Sequence, residues 1–353
     1  MTEKEKYIKK SALNIYIIIT LFVLCFITIC AALSTGASGV NIFDVLKFFS
    51  KSETGDLQRR VIFEIRLPRA LAAASAGAAL ALSGLLMQGV FRNPLVSPYT
   101  LGVSGGAAAG ASFVIIFRSH IVNVFPYLEN FCVPAGAFAF SMLTMILVYT
   151  ISSIKAHDSR TLILAGVAIG YLFSALTASM KYFSDVRELP EIVFWTMGSL
   201  SGIAPAGIII IAVCVIIVFI TMMRFAWDLN AISLGQEDAL SLGVNYTRIK
   251  VLSLILSTST ASTAVAFTGV IGFVGLVAPH ITRILMGGDY RYSVPGTALT
   301  GTLLLLVSDT AARTIIAPAE LPVGIITSFI GVPFFIYLLA RNSVKGSVLK
   351  VKK

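Results

Sequence analysis

About ten apolar runs, most of them near 20 residues long, constrain this sequence more than any other feature. A helical run of about 20 residues spans the hydrocarbon core of a bilayer, which is about 30 Å thick. Apolar residues make up 57% of the chain, charged residues only 12%, and the mean hydropathy is +0.89. A soluble domain cannot hide so much apolar surface from water. The sequence therefore predicts an all-α polytopic membrane protein and excludes a water-soluble enzyme and a disordered chain.

The apolar runs give ten predicted spans in chain order. They are 12–33, 70–91, 100–117, 131–153, 161–183, 204–223, 250–268, 270–287, 294–312 and 322–340. The first run is longer than the apolar region of a typical signal peptide, so we expect a retained span rather than a cleaved leader. The third, eighth and ninth runs are short and rich in glycine. Between Ser34 and Arg66 we expect a polar loop that contains the amphipathic piece NIFDVLKFF, residues 41–49.

The positive charges predict the orientation of the chain. Placing the N-terminus inside and alternating the spans leaves most of the 27 Lys and Arg residues on the inner side, as the positive-inside rule requires. Both termini, residues 1–10 and 341–353, are then cytosolic. The net charge of +10 reflects this topology and contacts with anionic lipid rather than a nucleic-acid partner. The exception is a cluster of four arginines on the outer side, just before the second span: Arg59, Arg60, Arg66 and Arg69.

The sequence lacks the common motifs of catalysis and metal binding. It has no GxxxxGK[ST] phosphate loop, no HExxH pattern and no CxxC pair. We therefore expect no catalytic residue, no metal site and no cofactor in this chain. An ion-coupled secondary carrier is an alternative, but such carriers usually hold an acidic group near the membrane midplane, whereas Asp309 and Glu320 lie near the outer mouth. A purely structural scaffold is a further alternative, and it predicts no transport.

Several segments resemble one known family in register along the chain. They are IRLPRALAAASAGAALALSGLLMQGVFRNPL (65–95), the SPYTLGVSGGAAAGA that follows it, LILAGVAIG (162–170), FWTMGSLSG (194–202), LGQEDALSLGVN (234–245), GVIGFVGLVAPHITR (269–283) and AELPVGIITSFIGVPFFIYLL (319–339). The chain is similar over about 65–340 to the FecCD permeases, which include the cobalamin importer permease. These are the membrane subunits of ATP-binding-cassette (ABC) importers for iron–siderophores, haem and cobalamin.

The resemblance implies a single permease domain over residues 1–353, with about ten transmembrane helices in the type II ABC importer fold. It implies that spans two to five and seven to ten form an inverted repeat. The implied partners are a second permease subunit, identical or related, two cytosolic subunits that bind ATP and Mg, and an external solute-binding protein. The implied location is the cytoplasmic membrane of a bacterium or archaeon. The expected substrate is an iron–siderophore complex, with haem and cobalamin as alternatives.

The resemblance also implies a docking site for the binding protein. In similar permeases, the two arginines of RLPR and one arginine before AELP pair with acidic residues of that partner. The corresponding residues here are Arg66, Arg69 and Arg313. Guanidinium groups suit this role because each can bind a carboxylate through two parallel hydrogen bonds. The alternative for Arg69 is that it reaches toward lipid headgroups at the mouth of the second span.

The segment 234–244, between the sixth and seventh spans, is too polar to cross a membrane. Glycines bracket it, which indicates a short helix between two stops. Without the resemblance we would expect a connecting loop, but the resemblance implies the coupling helix that fits a groove on the ATPase. Its expected coupling residues are Leu234, Gly235, Glu237, Asp238, Leu240 and Gly243.

A cytosolic gate is implied at FRNPL, residues 91–95, where Asn93 and Leu95 match the constriction of the family. Pro94 is expected to end the second span because proline fixes φ and removes a backbone donor. A second element of the gate is expected just before LILAG, at Ser159.

Overall fold

The computed structural model describes residues 2–35, 59–155 and 159–350. Helical content is 84%, and the described residues contain thirteen α-helices and no strand, which confirms the all-α fold. The helices are α1 Glu3–Ser34, α2 Leu67–Val90, α3 Val103–Val124, α4 Cys132–Ser152, α5 Ser159–Phe183, α6 Glu188–Met197, α7 Pro205–Arg224, α8 Ala226–Leu234, α9 Gln236–Ser241, α10 Tyr246–Thr268, α11 Val274–Met286, α12 Tyr290–Thr314 and α13 Val323–Lys350.

Ten of these helices correspond to the ten predicted spans, and α6, α8 and α9 are short additions between them. Within the described residues, seven are long and apolar enough to cross a membrane, namely α1, α2 with its preceding turn, α3, α4, α5, α7 and α10. Of the other three, α11 has only 13 residues, and α13 is apolar over Val323–Tyr337. Helix α12 has 25 residues, but Ser, Thr and Gly dilute its apolar character.

Two expectations about length were wrong. The helices that correspond to the third and ninth runs are longer than those runs, because α3 has 22 residues and α12 has 25. The eighth is shorter than expected: the backbone leaves helical geometry after Thr268, where Gly269 has φ +68°, and α11 starts only after Phe273 at φ 66°. Hydropathy cannot detect such a break, since the residues on both sides are equally apolar.

The expected polar loop between Ser34 and Arg66 is also shorter than predicted. Helical structure begins by Arg59, and a π-helical stretch, Val61–Arg66, continues directly into α2. The amphipathic piece 41–49 lies outside the described residues. Arg66 and Arg69 consequently belong to a continuous helix rather than to a loop.

Helix α2 forms the centre of the bundle because its small residues let other backbones approach closely. A methyl group added to Gly84 would lie 1.8 Å from the carbonyl oxygen of Gly275 on α11. One added to Gly77 would lie 2.4 Å from the carbonyl oxygen of Gly301 on α12. Nearly every residue from Ala76 to Val90 is buried. The glycines and alanines of this helix therefore serve packing.

The bundle has two distinct ends. At one end, which we call the arginine end, α1 and α12 finish and α2 begins, so that Arg66, Arg69 and Arg313 come together. At the opposite end, which we call the α9 end, α8 contacts the start of α12. The first turns of α1 reach the same place, where Tyr7 contacts Arg291.

Candidate functional site

Asp309 of α12 is the centre of a charged network at the arginine end. Its Oδ1 lies 2.9 Å from Nε of Arg69, and its Oδ2 lies 3.2 Å from Nε of Arg313. Arg69 also contacts Glu320, with 2.6 Å between Nη1 and Oε2. Among the described residues, Nε of Arg313 has no hydrogen-bond partner despite this approach, so its contact with Asp309 is an ion pair. One carboxylate thus joins the start of α2 to the end of α12.

Two of the arginines also bind the end of α1. Nη1 of Arg66 donates to the carbonyl oxygen of Leu33 at 2.6 Å, and Nη2 of Arg313 donates to that of Ala32 at 3.2 Å. The last carbonyl groups of a helix have no partner within it, and they carry the negative end of the helix dipole. Cations at this position therefore satisfy the carbonyls and fasten α1 to α2 and α12.

The structure brings together the three arginines predicted for docking, and their side chains are buried. Arg66 is 4% exposed, Arg69 is 7% exposed and Arg313 is 8% exposed. The side chain of Glu320, in contrast, is 47% exposed. An incoming acidic group would meet Glu320 first and would compete with it for Arg69. The docking role itself stays a prediction.

The predicted helix between two glycines is present as α9. Gly235 precedes it with φ +141° and Gly243 follows it with φ +79°, conformations that side chains rarely adopt. Ala239 is fully buried and anchors the helix, and the N–H of Val244 donates to its carbonyl oxygen at 2.9 Å. Glu237 lies on the exposed side of this short helix.

The exposed surface on and beside α9 combines leucines with carboxylates. Leu234 is 55% exposed, Leu240 is 56% exposed and Leu242 is 63% exposed, and Glu237 and Asp238 are exposed beside them. Leu242 is an addition to the predicted set. Beyond the spans, exposed leucines have no lipid to face, so such a group is typical of a protein interface. We call these five residues the α9 patch.

Asn93 and Leu95 form a compact turn at the α9 end. Oδ1 of Asn93 accepts from the N–H of Leu95 at 3.0 Å, and Leu95 is 36% exposed. Pro94 does not end α2 as expected, because the helix finishes at Val90 and Arg92 adopts a left-handed conformation with φ 49°. Ser159 begins α5, and its side chain and residues 156–158 lie outside the described part of the chain.

Two cavities lie between the described helices. A polar cavity of about 340 Å³ lies beside the 91–95 turn, and Gln88, Arg92 and Arg283 contribute to its lining. A larger, mostly apolar cavity of about 590 Å³ lies between α6, the break before α11, and α13. Among the described residues, no three His, Cys, Asp or Glu side chains are placed to hold a metal ion.

A polar cluster that sequence reasoning missed joins α8 to the start of α12. Asn230 of α8 hydrogen-bonds to Asp289 and Tyr290, and Arg291 forms an ion pair with Asp289. The Asp after two glycines signals the start of a helix, since Asp is a favoured N-cap. Nothing near Asn230 in the sequence signals its partner, which is 59 residues away.

Comparisons with known proteins agree with this architecture. A sequence model of the FecCD transport family matches residues 24–341. The haemin transport permease HmuU of Yersinia pestis is 40% identical, over 84% of this chain and 88% of its own length. The cobalamin import permease BtuC of Halobacterium salinarum is 39% identical, over 81% of this chain and 75% of its own length. Other relatives are named for import of molybdate, Fe(3+)-citrate and iron(3+)-hydroxamate.

A solved structure is also similar. It is an inward-facing chain assigned to the metal-chelate type of ABC transporter, with a TM-score of 0.81 and 34% sequence identity. The match covers 92% of this chain and 99% of that chain. The similarity therefore extends through nearly the whole helical bundle.

Proposed function

Because the chain belongs to the FecCD transport family and is an ABC importer permease, we propose that it carries iron–siderophore complexes across the cytoplasmic membrane. In this proposal, ATP hydrolysis takes place in two separate cytosolic subunits, and the permease binds neither ATP nor any cofactor. A second permease subunit, identical or related, completes the pathway, and an external binding protein delivers the substrate.

The α9 patch is the observation that best supports ATP hydrolysis in separate subunits. It presents three leucines and two carboxylates on and beside the short helix α9, outside the spans, and the chain has no phosphate loop of its own. We assign the patch to contact with the ATPase. The α9 end is then cytosolic, and the first turns of α1 lie at the same end. Helix α13 begins near Ala312 at the arginine end and runs away from it, which supports a cytosolic C-terminus as well.

The arginine end then faces outward and receives the binding protein. Arg66, Arg69 and Arg313 are the docking residues of the proposal, with Glu320 as the internal group that the partner displaces.

Asn93, Leu95 and Ser159 are the proposed gate at the opposite end. The apolar cavity of about 590 Å³ suits a pathway for bulky chelates, because mobile cargo passes most easily over apolar and small side chains.

Iron–siderophore complexes are preferred as the substrate because relatives named for Fe(3+)-citrate and iron(3+)-hydroxamate import are similar along most of the chain. Haem and cobalamin are the alternatives, since relatives carry those names too. An ion-coupled carrier fits less well. Asp309 is the buried carboxylate of the described residues, and two arginines neutralise it, so it is unsuited to carry protons.

The first test separates the permease from its energy source. The isolated chain should neither bind nor hydrolyse ATP, and ATPase activity should appear when the cytosolic subunit is added. Stoichiometric ATP binding by the isolated chain would overturn the proposal. Uptake that needs no ATPase and stops with an uncoupler would instead support the ion-coupled carrier.

The second test addresses the substrate. The binding protein that docks on this permease should be titrated with ferric siderophores, haem and cobalamin. Tight binding of a ferric siderophore, followed by its ATP-dependent uptake into proteoliposomes, is expected. Uptake restricted to haem or cobalamin would replace the substrate and leave the transport mechanism in place.

A further inference from the structure

Asn230 of α8 uses both halves of its side-chain amide to hold the start of α12. Nδ2 donates to Oδ1 of Asp289 at 3.0 Å, and Oδ1 accepts from the N–H of Tyr290 at 2.9 Å. A donor and an acceptor on one rigid group fix both the position and the orientation of the turn they contact. We call this pair of hydrogen bonds the Asn230 clamp.

A second contact reinforces the clamp from the same face of α8. Arg291 pairs with Asp289, with 2.5 Å between Nη2 and Oδ2, and its guanidinium lies 4.2 Å from the ring centre of Trp227. Trp227 and Asn230 are three residues apart on α8, so they share one face of the helix. Nη2 of Arg291 also donates to the hydroxyl of Tyr7 on α1 at 3.0 Å.

Helix α8 is firmly held in the bundle and leads directly into α9. Leu229 and Ile232 are buried in a core with Leu85 and Val294, so α8 packs against α2 and α12. Only Gly235 separates α8 from α9. Displacement of the α9 patch therefore moves α8 first. The clamp is the polar contact through which α8 can move α12.

Helix α12 extends from the clamp to the charged network at the opposite end. Its first residues contact Asn230, and its last turns carry Asp309 and Arg313, which bind Arg69 and the end of α1. Both ends of this one helix are thus fixed by polar contacts. Movement at its start is transmitted along one helix rather than through a loop, although Pro295 inside that helix removes one backbone hydrogen bond near the clamp.

We infer that Asn230 is a positioning residue that couples movement of α9 to α12. The inference rests on the proposed contact between the α9 patch and the ATPase. The function of Asn230 is then to convert displacement of α9 into displacement of α12. Loss of the clamp should leave the ATPase bound and active while α12 no longer follows.

The test is Asn230→Asp, which keeps the acceptor for Tyr290 but replaces the donor with a carboxylate facing Asp289. Uptake per ATP hydrolysed should fall about tenfold or more, because the hydrogen bond to a charged group becomes a repulsion. Hydrolysis and copurification of the ATPase should stay within about twofold of wild type. The matched control is Asn245→Asp. Among the described residues, Asn245 uses its acceptor oxygen, toward the N–H of Arg248, and Asp caps a helix equally well.

A double variant, Asn230→Asp with Asp289→Asn, exchanges the two groups. Position 289 then supplies the donor and position 230 the acceptor, so the hydrogen bond can form again. The double variant should recover most of the uptake per ATP, and this rescue separates the clamp from a general effect on folding. Unchanged uptake per ATP in Asn230→Asp would overturn the inference. So would a double variant that stays as uncoupled as the single one, or a loss of ATPase binding in step with thermal stability. Failure of the wild-type permease to bind the ATPase would instead reject the proposed function.

Discussion

The carboxylate of Asp309 lies 2.9 Å from Nε of Arg69, although 240 residues separate the two in the sequence. The same carboxylate faces Arg313 one helical turn farther along α12. Both arginines and Asp309 are nearly excluded from solvent. A buried ion pair adds little net stability, but removing one partner leaves an uncompensated buried charge.

Asp309→Ala should therefore lower the free energy of unfolding by about 3–5 kcal/mol, since two buried guanidiniums lose their counterion. Thermal unfolding of the purified permease in detergent measures this change. Glu320→Gln is the control, because its half-exposed side chain should contribute about 1 kcal/mol or less. Equal effects of the two variants would contradict the central role of Asp309.

Glu320 should limit docking of the binding protein. Glu320→Gln frees Arg69 from an internal competitor and should tighten docking several-fold, measured as a Kd in nanodiscs. Arg69→Glu should weaken docking by far more than an exposed pair would, because truncation of a partly desolvated interfacial pair costs about 2–5 kcal/mol. Raised salt should weaken the wild-type complex. Unchanged affinity in both variants would mean that the arginines serve only to join α1, α2 and α12.

Most of the fold could be predicted because a bilayer imposes a fixed length on apolar helices. The ten runs correspond to ten helices, and the two glycines around α9 predicted that helix correctly. The break before α11 could not be predicted, because Gly269 and Phe273 adopt positive φ among residues that are uniformly apolar. The helical entry to α2 was missed because Arg59 and Arg60 resemble loop residues by charge alone.

Close packing around α2 can be tested at Gly84. Gly84→Ala should destabilise the permease by about 1–3 kcal/mol, since the added methyl group would overlap the backbone of α11. Gly288→Ala is the matched control, because no described residue lies within 4 Å of the added methyl group. Similar melting temperatures for the two variants would show that α2 and α11 are not in close backbone contact.

The sequence predicted which segments form the site, but it did not predict which side chains contact each other there. The resemblance implied Arg66, Arg69 and Arg313, yet nothing local indicated that Asp309 and the carbonyl groups of α1 would bind them. Asn230 was missed for the same reason, since its partners are distant in sequence. Pairings of this kind arise from the packing of helices, and one sequence alone does not reveal them.

The Asp289 carboxylate at the Asn230 clamp should stay ionised in mildly acidic solution. The hydrogen bond from Arg291 lowers the pKa of Asp289 below its usual 3.8. Burial opposes this shift, and the hydrogen bond from Asn230 adds to it. Because the folded pKa is depressed, this stabilisation is fully present above the unfolded pKa and is lost as pH falls through the folded pKa. The melting-temperature difference between wild type and Asp289→Asn should stay constant above about pH 5 and shrink only below 3.8. A difference that shrinks near neutral pH would contradict the lowered pKa.

The α9 patch gives the most direct test of coupling. Glu237→Ala together with Leu240→Ala removes one carboxylate and one leucine that are both exposed. The permease should stay folded, because Ala239 and the two flanking glycines, which hold α9 in place, are unchanged. Stimulation of ATP hydrolysis by the binding protein should be lost, together with uptake. Ser241→Ala is the control, because within the described part of the chain this exposed hydroxyl bonds to the carbonyl oxygen of Glu237 in the same helix. A double variant with normal stimulated hydrolysis and normal uptake would remove α9 from the interface with the ATPase, since an exposed patch that makes no contact can be changed without effect.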